Sequence, residues 1–249
     1  MSLIKSQEEI KKIIAGGKLL SRVLAEVSKL VKPGVTGVEL DQLAEKLLLA
    51  TGGQAIFKGY GQPPFPNALC VSVNSCVVHG IPAKKPLQQG DIVSLDIGLL
   101  YQGLVTDMSV TLPVGKVLAS AQKLISVTRQ SLDQAIKIIK PGIALGDIGY
   151  QIQSVVEKNG FGVVRAFVGH GLGYSLHEEP AIPNFGQPGQ GMKLRAGMVL
   201  AIEPMVTEGD WDVTVADNGW DAMTVDGKLA AHFEHTVIVT DQGCLIATK

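Results

Sequence analysis

Between Ser6 and Pro33 apolar side chains return every three or four positions among Lys, Glu and Ser, the spacing that lines one face of a helix. Ser6-x-x-Glu9 reads as a capping box opening that helix, and Pro33-Gly34 stops it. Thr36-x-x-Glu39 opens a second helix, closed near Gly52-Gly53. The pattern then changes. From Val71 to Val78 and from Ile92 to Thr111, β-branched and apolar runs broken by glycine predict strands. Helical spacing returns from about Ala119 to Ile139, ending at Pro141-Gly142, and from about Asp147 to Lys158, ending at Asn159-Gly160. Strand-like segments occupy most of the remainder.

Two helices followed by strands thus occur twice, and the repetition extends to single residues. The segment from Gly90 to Asp96 aligns without a gap on that from Gly197 to Glu203: glycine, any residue, two aliphatics, a small residue, an aliphatic, a carboxylate. Upstream of each copy stands a His-Gly pair, His79-Gly80 and His170-Gly171. Downstream comes a carboxylate entering another strand, in Asp107-Met108-Ser109-Val110 and Glu234-His235-Thr236-Val237. We read an internal duplication with halves at about 6–115 and 116–249, inside a single domain of 1–249.

Composition narrows the setting. A chain of 249 residues can bury a sizeable core. Lys plus Arg total 22 against 23 Asp plus Glu, a formal net charge of -1, so no strong field draws nucleic acid or anionic membrane. Cys70, Cys76 and Cys244 make an odd count that does not suit a disulfide scaffold and suits a reducing compartment. With no apolar signal core and no run of about 18 apolar residues, the chain is expected to be soluble and cytoplasmic.

Asp96 ends the run Ile92, Val93, Leu95, and Glu203 ends Val199, Leu200, Ile202, which places each carboxylate at the inner end of a buried strand. An unpaired carboxylate there is costly, so it must be ion-paired, protonated or bound to metal. For any one acid the first two suffice. If the halves pack about a pseudo-two-fold axis, however, Asp96, Asp107, Glu203 and Glu234 converge, and four carboxylates cannot share an interior without cations. Lys and Arg concentrate on helices and loops, which leaves divalent metal as the simpler neutraliser. His170 lies in Gly169-His170-Gly171-Leu172-Gly173, where glycines let the backbone approach a site and free the ring to point into it, so it is favoured as a ligand. Such an oxygen-rich set suits Mn, Fe, Co or Zn and lacks the thiolates of a structural zinc. A mononuclear iron oxygenase with two histidines and one carboxylate would leave three acids unexplained.

The other histidines separate by context. His79, before Gly80-Ile81-Pro82, and His177, before Glu178-Glu179-Pro180, fall on loops, where hydrogen bonds to a substrate suit them. His232 shares a strand face with Glu234, which leaves a supporting place behind the ligands or an ordinary core place both open. His235, on the opposite face, reads as structural.

Val73-Asn74 through His79-Gly80-Ile81-Pro82, Asp96-Ile97-Gly98 with Asp107, the glycine-framed His170, His177-Glu178-Glu179-Pro180, Ile202-Glu203-Pro204-Met205 and Phe233-Glu234-His235-Thr236 stand in order along the chain. Together they resemble the signature of the type I methionine aminopeptidases. The resemblance implies the α/β (α+β) pita-bread fold, in which helices cover one side of a curved antiparallel sheet with pseudo-two-fold halves. It also implies two divalent ions (Co, Mn, Fe or Zn) held by Asp96, Asp107, His170, Glu203 and Glu234, with Asp107 and Glu234 bridging. It assigns His79 and His177 to substrate and tetrahedral intermediate, and places Cys70, Phe65, Tyr60 and Trp220 at the methionine side-chain pocket, where core packing is the rival reading. Glu203 is then the candidate base. The substrates implied are nascent polypeptides, including those still on the ribosome, that carry an initiator methionine before a small residue, and the enzyme implied is a monomer.

Three departures bear on the pocket. Leu176 precedes His177 where many relatives carry an aromatic, Val105-Thr106 precedes Asp107 where His-Gly is common, and Gln62-Pro63-Pro64-Phe65-Pro66 is rich in proline. The stretch Thr106–Thr111 keeps a proline-specific peptidase of the same fold as an alternative, with a non-catalytic binding protein on that scaffold behind it.

Overall fold

The computed structural model describes residues 2–249. Helices α1 (Gln7–Lys29) and α2 (Gly37–Ala50) lead into β1 (Gln54–Ala55), β2 (Leu69–Val73), β3 (Cys76–Val78), β4 (Ile92–Tyr101) and β5 (Leu104–Pro113). Helices α3 (Ala119–Ile138) and α4 (Leu145–Lys158) follow, then β6 (Gly162–Val163), β7 (Gly169–Gly171), β8 (Glu178–Ile182), β9 (Val199–Ile202) and β10 (Met205–Thr207). The chain closes with β11 (Val213–Val215), β12 (Ala222–Thr224), β13 (Ala230–His232), β14 (Glu234–Val239) and β15 (Cys244–Ile246).

Both predicted capping boxes form: Ser6 and Thr36 accept from the backbone N–H of Glu9 and Glu39, whose carboxylates accept in return. Helix α4 begins two residues before the Asp147 start read from the sequence. The Asp147 carboxylate accepts from the Ala144 N–H, so it satisfies an orphan donor from inside the first turn. Strands β4 and β5 form a ten-residue hairpin closed by Gln102-Gly103, both at positive φ, the primed geometry that matches strand twist.

The main sheet runs β1-β4-β5-β14-β9-β7-β8, with β2 on β4 and β15 on β14, and every pairing is antiparallel. It curls, with the four helices packed against it, which is the α/β pita-bread architecture. Alternation along the strands separates two faces. Val93, Leu95, Ile97, Leu99 and Met108 pack with α1 and α2 residues such as Leu20, Leu24, Leu40 and Leu48. Ser94, Asp96, Asp107, Ser109 and Thr111 point the other way. Helices α3 and α4 cover the second part of the sheet through Leu124, Leu132, Ile148 and Ile152 against Leu200, Ile202 and Val237.

Between β5 and β14 the ladder pairs only Glu234 with Ser109 and His235 with Met108. Threonine hydroxyls extend it on both sides. Thr236 Oγ1 accepts from Asp107 N (2.9 Å) and donates to Asp107 O (2.7 Å). Thr111 Oγ1 accepts from His232 N (2.8 Å) and donates to His232 O (2.7 Å). Among the described residues no helix is long and apolar enough to cross a membrane.

Candidate functional site

The polar sheet face opens into a cleft of about 550 Å³ lined by all eleven residues singled out from the sequence. Asp96 comes from the middle of β4, Asp107 from β5, His170 from β7, Glu203 from the position directly after β9 and Glu234 from the start of β14. Register brings the acids close: Asp96 pairs with Ser109, which pairs with Glu234, while Asp107 pairs with Gly98 two residues along on the same face. One ligand-type atom each from Asp107, His170 and Glu234 lie within 4.8 Å of one another.

These acids are buried and short of partners. Among the described residues, Asp96 Oδ1, Asp107 Oδ1 and Glu234 Oε1 have no hydrogen-bond partner, and no Lys or Arg lines the cleft. Burial is the largest cause of every shift here, reinforced for Asp107 and Glu234 by the neighbouring carboxylates. It pushes Asp96 up to about 6 and holds Asp107, Glu203 and Glu234 well above the carboxylate range. Orphaned oxygens converging on one space are what a cation would satisfy, so the donor set fits metal.

His170 is prepared for the same space. Its Nδ1 lies 2.9 Å from the Gly171 carbonyl, to which it donates, so the proton sits on Nδ1 and the Nε2 lone pair faces Glu203 Oε1 at 3.3 Å. Burial lowers its pKa to about 3, keeping the ring neutral. Gly171 is required by close approach, because a Cβ there would stand 2.1 Å from the Glu179 carbonyl oxygen. His232 Nε2 lies 3.4 Å from Glu203 Oε2 without the alignment of a hydrogen bond, which places the ring behind Glu203 and away from the cleft lining. His235 faces the helices and meets Thr248 Oγ1 at 3.0 Å.

His177 sits on the exposed rim, its ring edge-on to His170 at 4.3 Å and its Nδ1 2.6 Å from the Tyr60 hydroxyl. Protein packed beneath it lowers its pKa. His79 holds φ at 61°, a conformation disfavoured for a residue with a Cβ, and its ring meets Phe167 and Trp220 edge to face. Burial brings its pKa down to about 4. The apolar wall combines Phe65, Cys70 and Trp220 with Phe57 and Leu176. Cys70 faces Asp96 across β2 and β4, and burial raises its thiol pKa, so it serves as wall rather than thiolate.

Sequence reasoning missed Phe57 and the hydroxyl of Thr236. Phe57 could have been found as an aromatic in a glycine-rich segment leading to Tyr60. Thr236 had no local signal, since its partner lies 129 positions away.

The model of metallopeptidase family M24 matches residues 11–241. A methionine aminopeptidase of Clostridium perfringens is 46% identical over 249 residues, covering 100% of this chain and 99% of its own length. Methionine aminopeptidase 1 of Bacillus subtilis is 44% identical over 250 residues, covering 100% of each chain. The crystal structure of methionine aminopeptidase from Thermotoga maritima superposes with a TM-score of 0.96 at 50% identity, over 99% of this chain and 98% of that one.

Proposed function

The chain belongs to metallopeptidase family M24, and from that premise we propose that it removes the N-terminal methionine of polypeptides whose next residue is small. Asp96, Asp107, His170, Glu203 and Glu234 hold two divalent ions of the Mn, Fe, Co or Zn kind. The observation that carries this reading is the group of buried acids with unpartnered oxygens and, among the described residues, no Lys or Arg lining the cleft beside them. When bound, the ions supply a water whose pKa falls to about 7 and a Lewis acid for the scissile carbonyl.

The residues of the chain do the rest. Glu203, between His170 at 3.3 Å and His232 at 3.4 Å, takes the proton of the attacking water and returns it to the departing amine. The Tyr60 hydroxyl lies 2.6 Å from His177 Nδ1, and the tautomer in which it donates there carries the ring proton on Nε2, a donor toward the substrate carbonyl. His79, held rigidly against Phe167 and Trp220, donates to the oxyanion or the leaving nitrogen. Phe57, Phe65, Cys70, Leu176 and Trp220 take the methionine side chain, whose burial contributes about 1.5–3 kcal/mol. The acidic floor receives a free α-amino group, which sets an N-terminus apart from an internal bond. Nascent chains, including those on the ribosome, supply such ends.

Met-Ala-Ser and Ala-Pro peptides assayed side by side during Mn or Co titration test this. Methionine release should saturate at two ions per chain, and Glu203→Gln should lower it by about 10³-fold while leaving the fold intact. Cleavage of Ala-Pro alone would overturn the specificity, and near-normal turnover by Glu203→Gln would overturn the base.

A further inference from the structure

Lys5 and Glu178 form an ion pair at 2.7 Å with side chains 1% and 9% exposed, far more withdrawn than the other Lys–carboxylate pairs among the described residues. A pair buried this deeply is commonly no better for stability than apolar residues of the same volume, so its placement matters more than its energy. Glu178 directly follows His177 and opens β8. Its Oε1 accepts from the backbone N–H groups of Tyr174 and Ser175, closing the turn that delivers Leu176 and His177 to the cleft. Its Oε2 accepts from Lys5 Nζ, which also donates to the Ser2 carbonyl and lies 4.1 Å from the centre of the Tyr174 ring.

Lys5 is itself fixed at a second point. Its backbone N–H donates to Gly197 O at 2.8 Å, in the turn that launches β9 toward Glu203. The stem then passes Gly173, whose φ of 137° suits glycine and where a Cβ would stand 2.5 Å from Lys5 Cε. On its other side the turn is tied to β5, where Gly173 O accepts from Val105 N at 2.7 Å. One side chain therefore spans from the root of the Glu203 strand to the turn that carries His177.

We propose that Lys5, acting through its buried pair with Glu178, is a positioning residue for His177 in the proposed aminopeptidase, holding residues 172–177 at the depth where His177 and Leu176 wall the cleft. The inference rests on reading His177 as a substrate-facing donor. Lys5 touches no substrate, so its removal should act only where His177 is present. Lys5→Met should lower kcat on Met-Ala-Ser by about 10- to 100-fold, the scale of a misplacement near 1 Å, with the number of ions bound unchanged. In a His177→Ala background the same substitution should change kcat little. Amide hydrogen exchange at Tyr174 and Ser175 should also quicken in Lys5→Met. If Lys5→Met does not fold, Glu178→Gln, which keeps an accepting oxygen for those amides, carries the same cycle. Equal losses in both backgrounds, or an unaltered kcat, overturn the proposal. If the unsubstituted protein released no methionine at any metal level, the aminopeptidase reading would fail separately. The exchange measurement would still decide the latch, because unchanged protection of Tyr174 and Ser175 overturns it.

Discussion

Stripping divalent ions from this protein should make its fold less stable as pH rises from 7 to 8. Burial holds the pKa of Asp96 at about 6, and those of Asp107, Glu203 and Glu234 well above the ordinary range. A carboxyl whose pKa is higher folded than unfolded stabilises the fold while protonated, and that contribution is lost as pH rises through the folded value. Held at about 6 against an ordinary 3.8, an ionised Asp96 costs the metal-free fold about 3 kcal/mol at pH 7. The histidines act in the opposite sense: His79, His170 and His235, lowered to about 4, 3 and 4, weaken the fold below their unfolded pKa near 6.5. From pH 7 upward the unfolded histidines are mostly neutral as well and contribute little, which leaves the carboxyls to set the slope. Each proton kept by the folded chain and absent from the unfolded one changes stability by about 1.36 kcal/mol per pH unit, so one such proton gives about 1.4 kcal/mol across the window. For a chain of this size that is roughly 3–5 °C in Tm. Thermal melts at half-unit pH steps, in chelator and in saturating Mn, measure it directly. With metal the acids are ionised throughout, and stability should hold or rise with pH, because binding releases protons. Parallel curves with and without metal would refute the claim that these acids need a cation.

Thr236→Val, which keeps the shape and removes the hydroxyl, should destabilise by about 2–4 kcal/mol in chemical denaturation, because it leaves the Asp107 N–H and C=O buried and unpaired. A loss below about 0.5 kcal/mol would show that the strand backbones close the gap themselves. Gly171→Ala should push β7 off β8, since its Cβ meets the Glu179 carbonyl, and calorimetric metal affinity should fall about tenfold or more with His170 displaced. Trp220→Ala should raise KM for methionine peptides several-fold while leaving metal stoichiometry unchanged, as steady-state kinetics and titration would show.

The features legible in the sequence are those written within a few neighbouring residues. Ser6 with Glu9 and Thr36 with Glu39 announce helix starts because both partners of the capping box lie in one turn. The aliphatic runs ending at Asp96 and Glu203 announce buried strands for the same reason. Helix α4 starts ahead of Asp147 because that residue caps from inside the first turn, which the sequence does not distinguish from capping before it. The candidate site was legible as a set of residue types, but its construction was not. Tyr60 reaches His177 across 117 positions, Lys5 reaches Glu178 across 173, and His232 reaches Glu203 by tertiary packing alone. Pairings of that kind depend on how the two ends of the sheet curl together, and no local period encodes the curl.

The paired threonine clasps across the β5 seam have a mechanical consequence. Each hydroxyl both takes and gives a bond to the same opposing residue, so the seam tolerates no partial slip: Asp107 and His232 are either seated or released. The gauge between acids contributed by opposite ends of the chain is therefore set by two threonine side chains stitched to the facing backbone. Variation in the apolar wall around the cleft can retune which side chain is admitted without disturbing the spacing of the floor.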